Sequence, residues 1–99
     1  MKELPEGLVS HKRTADFTET TIPLGLLKDH QTKAGVWGLI QVTAGRLRYS
    51  IPSRGEEIPL RPGVPGVVEP EVPHRVTPEG SVAFHVEFYS APLEGKTTT

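Results

Sequence analysis

Apolar positions along the chain fall in short runs, broken by glycine or proline about every ten residues. Segments 20–22, 36–42, 46–51, 57–60, 66–69, 74–77 and 81–89 are rich in β-formers, and each reads as a strand. Val36-Trp37-Gly38-Leu39-Ile40-Gln41-Val42 is almost wholly apolar, the mark of a strand in the middle of the structure. Thr43-Ala44-Gly45 then predicts a hairpin turn into the alternating Arg46-Leu47-Arg48-Tyr49. In 81–89 the alternation is plain: Phe84, Val86 and Phe88 share one face, and His85, Glu87 and Tyr89 share the other. Residues 24–30 offer one turn of helix at most, with Pro23 and Gly25 against it, and no 3.6-residue period is sustained elsewhere. The fold class is all-β, a sandwich or barrel in one domain over residues 1–99, with an ordered core at 4–92 and a flexible tail at 93–99.

Composition narrows the chemistry. Ten glycines and ten prolines in 99 residues fit a domain with many tight turns. The formal net charge is −1 and no block of lysine and arginine appears, so nucleic acid is not an expected partner. No apolar stretch approaches a membrane span, and Met1-Lys2-Glu3-Leu4-Pro5-Glu6-Gly7 has no apolar signal core. A cytoplasmic location without membrane contact is the expectation. The absence of cysteine excludes disulfides, thiolate metal sites and thiol catalysis.

Three segments carry candidate chemistry. His30-Gln31-Thr32-Lys33 precedes the apolar strand, as a ligating histidine at a barrel mouth or as an ordinary surface loop. Pro70-Glu71-Val72-Pro73-His74 holds a histidine in a stiff frame, fitting either a placed functional side chain or a stiffened hairpin. Glu87 interrupts an apolar strand; facing water it is unremarkable, and facing inward it would need a cation or a partner. Together His30, His74 and Glu87 make a two-histidine, one-carboxylate set of the kind that binds Fe(II), and that also suits Zn(II) or Ni(II). Trp37 reads as core or pocket wall. No His-Glu-x-x-His, phosphate loop or Gly-x-Ser-x-Gly elbow is present.

Leu4-Pro5-Glu6-Gly7, His30-x-Thr32-Lys33-x-Gly35-x-Trp37-Gly38, Gly45-Arg46-Leu47-Arg48-Tyr49, Pro73-His74-Arg75-Val76 and Val86-Glu87-Phe88-Tyr89 together resemble the small cupins similar to tellurite resistance protein B. The resemblance runs from about residue 4 to residue 90. It implies a double-stranded β-helix barrel. It also implies a pocket around His30 and His74, although Thr32 and Gly38 stand where the general cupin pattern has a second histidine and a glutamate. Longer members carry a methyltransferase domain; the expectation here is the stand-alone cupin, with no nucleotide cofactor.

The expected function is a small cupin that holds a metal ion or a small ligand in its barrel. His30, His74 and Glu87 are the metal candidates, for one divalent ion (Zn, Fe or Ni), and Lys33, Trp37, Thr32, Tyr49 and His85 the ligand-binding candidates. Without a metal, His30, Lys33 and His74 would hold an oxyanion. The alternatives are a metal-dependent dioxygenase or isomerase using the same residues, and a non-catalytic sensor or interaction module. Exposed edge strands give such a chain reason to form a homodimer, with residues 8–22 crossing to the neighbour.

Overall fold

The structure is a computed structural model and describes residues 1–92; the tail expected to be flexible, 93–99, lies outside the described residues. Two long antiparallel strands form its spine, β3 (Trp37–Ile51) and β6 (Arg75–Ser90). Four short strands flank them. On the free edge of β3 lie β4 (Glu56–Leu60), against residues 47–51, and β5 (Gly66–Val68), against residues 38–40. On the free edge of β6 lie β1 (Val9–Arg13) and β2 (Phe17–Thr18). The result is one six-stranded antiparallel sheet of order β1-β6-β3-β4, all-β as expected, and not closed into a barrel. Among the described residues the helical elements are two 3₁₀ turns, at Leu24–Leu27 and Pro52–Arg54, and no helix is long and apolar enough to cross a membrane.

The predicted hairpin at Thr43-Ala44-Gly45 does not form. The chain runs straight through as a single fifteen-residue strand. Gly45 takes φ = +78°, which would serve a turn equally well, but here it lies in an irregularity of the β3–β6 register. The consequence is a change of parity. Gly38, Ile40 and Val42 are buried before it and Leu47, Tyr49 and Ile51 after it, so both halves of β3 turn their buried side to the core. Without the irregularity, period-2 alternation would send one half's apolar residues to solvent. Segments 74–77 and 81–89 likewise merge into β6, with Glu79-Gly80-Ser81 left out of its pairing with β3.

The core is Ile22, Ile40, Val42, Leu47, Tyr49, Ile51, Leu60, Val68, Val76, Val82, Phe84 and Val86. Phe84 is fully buried and meets Phe17 edge to face, ring centroids 5.6 Å apart. Segment 20–22 forms a turn, not the expected strand. In its place β1 and β2 pair with β6, and β1 is exposed along its whole length.

Candidate functional site

Between the inner face of the sheet and the 3₁₀ turn at Leu24–Leu27 lies a cavity of about 250 Å³. Gly38 and Ile40 of β3 and Val68 of β5 line one side. Val76, Phe84, Val86 and Phe88 of β6 line another, and Phe17, Pro23 and Leu26 close over them. Four polar residues reach it: Thr14, His30, Thr32 and His74.

The histidine pair is built by backbone. The His30 N–H donates to the His74 carbonyl at 2.7 Å, and the His74 N–H donates to the His30 carbonyl at 2.8 Å, an isolated antiparallel bridge. Beside the bridge, Arg75 Nη1 reaches Asp29 Oδ1 at 3.0 Å and ties the same crossing at the surface. The rings meet edge to face, centroids 5.6 Å apart. His30 is exposed and stands at the mouth; His74 is buried, its other side against the ring of Tyr49 at 5.7 Å. Tyr49 donates its hydroxyl to the Val67 carbonyl at 2.8 Å, so its polar end is spent behind the cavity. His74 Nδ1 lies 3.3 Å from the Val72 carbonyl. A carbonyl only accepts, so the proton sits on Nδ1 and Nε2 keeps its lone pair.

Burial pushes His74 below the usual imidazole value of 6.5, a positive charge on His30 lowers it further, and the Val72 carbonyl and Asp29 oppose. The folded state therefore binds this proton less readily than the unfolded chain does. Its contribution to stability is intact above about pH 6.5 and declines as the pH falls towards the lower folded value. The urea midpoint is expected to drop between pH 7 and pH 5.5, and His74→Phe to remove part of that drop. An unchanged pH slope in the variant would mean that His74 is not held neutral by its surroundings.

The other candidates separate into two groups. Thr32 lies at the cavity, bridged to Pro70, with its hydroxyl donated to the Val36 carbonyl at 2.7 Å. Glu87 does not join the histidines. It alternates with Val86 and Phe88, which line the cavity, so it stands on the opposite face of β6, beside His85 (Nε2 to Oε2, 3.6 Å) and accepting from the Tyr89 hydroxyl at 3.3 Å. His85 shares that face, buried, with Asp16 3.7 Å from Nδ1. Trp37 pairs with Tyr89 on the same outer side, and Lys33 is exposed and outside the cavity lining. Among the described residues no group of three or more His, Asp or Glu side chains is arranged to hold a metal ion. Two imidazoles fall short of the three or four protein ligands that a resident zinc or iron ion takes.

The lining residues that the sequence had not assigned to a site are Thr14 and the apolar ones. The even-numbered face of 84–88 was visible as a pattern; that it walls a cavity was not. Residues 12–86 match the model of the TehB-like domain. The chain belongs to the TehB-like domain family. Its fold is similar to that of a protein from Escherichia coli strain K12, at 24% identity and a TM-score of 0.81, over 93% of this chain and 99% of that one. It is also similar to TehB from Haemophilus influenzae, at 25% identity and a TM-score of 0.77, over 95% of this chain. This TehB-like domain spans only 36% of that second chain. No curated protein matches it significantly.

Proposed function

We propose that this TehB-like domain is a cupin-type binding module that holds a small molecule in the cavity beneath Leu24–Leu27, anchored by His74 and His30. The observation that carries this reading is His74. A buried, neutral imidazole with its Nε2 lone pair free, at a mainly apolar wall, is the kind of sparse polar group that orients a ligand in a concave site. Backbone bridging at His30 and His74 fixes that group before any ligand arrives, so little ordering cost falls on binding. The double-stranded β-helix assignment is supported by two long strands that run the length of the sheet with short strands flanking each. Direct binding to the imidazoles is favoured over a resident metal, because Glu87 points away from them.

A panel of small neutral and anionic molecules, with Zn²⁺ and Ni²⁺ as separate arms, tests the reading by methyl NMR. Ligands are expected to shift the methyl signals of Ile40, Val76 and Val86. A panel that moves only surface signals would sink the cavity as a binding site. A metal ion that binds stoichiometrically and broadens or shifts the His30 and His74 imidazole signals would move the reading to a metal centre completed by non-protein ligands.

A further inference from the structure

The polar inventory of the cavity restricts what it can hold. Thr14 donates its hydroxyl to the Ala15 carbonyl at 2.9 Å and accepts the Val86 N–H at 3.0 Å. Thr32 gives its proton to the Val36 carbonyl. His74 gives its Nδ1 proton to Val72. The hydroxyl protons of Thr14 and Thr32 and the Nδ1 proton of His74 are therefore spent, and what these side chains leave to a ligand is acceptor capacity, foremost the lone pair of His74 Nε2, with the His30 ring at the mouth. No lysine or arginine is among the lining residues, and Lys33 is not one of them.

An inorganic oxyanion is badly matched to this site. It would leave water for a wall of Ile40, Val86 and Phe88 and find no fixed set of donors to replace its hydration. A molecule that brings its own donor fits better. The space of about 250 Å³ is near eight water volumes at ~30 Å³ each, enough for one ring with a short substituent and below the range for drug-sized ligands.

We infer that the ligand is a compact, largely apolar molecule with a single hydrogen-bond-donating end, of the phenol or alcohol class, its O–H given to His74 Nε2 and its body against Ile40, Val86 and Phe88. This inference rests on the cavity being a binding site. The neutral state of His74 agrees with it, because a protonated ring would have no lone pair to offer.

Three probes decide the matter on the intact chain: 4-ethylphenol, its methyl ether 4-ethylanisole, and tellurite. 4-Ethylphenol is expected to shift the Ile40, Val76 and Val86 methyls and to bind at least tenfold more tightly than the ether, which has the same body and no donor. In His74→Phe that ratio should fall towards one. The comparison of phenol with ether in the unaltered chain stands even if the variant fails to fold. Equal binding of phenol and ether would overturn the donor assignment and leave the cavity reading standing. Tellurite moving the cavity methyls while 4-ethylphenol does not would overturn the ligand class in favour of an oxyanion. Silence from these probes and from the wider panel would remove the inference together with the binding reading on which it rests.

Discussion

Gly45→Ala is expected to destabilise the protein by about 3–5 kcal/mol, a large share of the ~5–15 kcal/mol that holds a domain folded. Two effects combine. A residue with a β-carbon pays about 1–2 kcal/mol to sit in the left-handed region where Gly45 lies, at φ = +78°. The added carbon would also stand 2.0 Å from the Ser81 carbonyl oxygen and 3.0 Å from the Val82 Cα, both backbone atoms. Relief requires β3 and β6 to move apart at the point where the register of the whole spine is set. Gly80→Ala supplies the control. Its φ is +77° and nothing lies within 4 Å of an added carbon, so only the conformational cost of about 1–2 kcal/mol is expected. Urea unfolding of both variants measures the difference. Equal losses would show that the close approach of Gly45 to Ser81 does not exist in solution.

The second large effect is expected at Phe84→Ala. The ring is fully buried, packs on Phe17, and belongs both to the core and to the cavity wall. Truncation should cost about 3–5 kcal/mol, because surrounding groups collapse only partly into the space left. It should also enlarge the cavity, so a bulkier phenol than 4-ethylphenol should gain affinity relative to it. Phe84→Leu, expected to cost less, keeps the binding comparison measurable if the alanine variant unfolds. A loss below about 1 kcal/mol in Phe84→Ala would mean that the ring is not packed as described. A lost core with unchanged ligand preference would separate the core from the site.

These two positions also mark how far the sequence could be read. Phe84 was legible: period-2 alternation through 81–89 assigns Phe84, Val86 and Phe88 to one side, and that side packs in or against the core. The same alternation held the information that Glu87 is on the other side. Alternation left open which of the two sides faces the cavity; Val86 and Phe88 line it, so Glu87 stands away from the histidines. Gly45 was legible only as a glycine in need of an unusual φ. A turn and a bulge make the same demand on it, and the choice depends on whether a partner strand runs past. β6 does, for sixteen residues.

By itself the sequence determined an all-β chain, the apolar faces of its long strands, the exclusion of thiol chemistry, and a histidine held between a proline turn and a strand. Those properties follow from local sterics and from side-chain period, which act between near neighbours. The tertiary structure alone decided that β1 and β2 are strands. Their exposed or half-buried residues carry little burial signal, and their place comes from backbone hydrogen bonds that β6 had free to give. It alone decided that His30 meets His74, through a pair of main-chain bonds whose partners are distant in the chain and carry no residue preference. Trp37 was left outside the cavity for the same reason: its direction is set by the strand it is paired into, and pairing is a property of the whole fold.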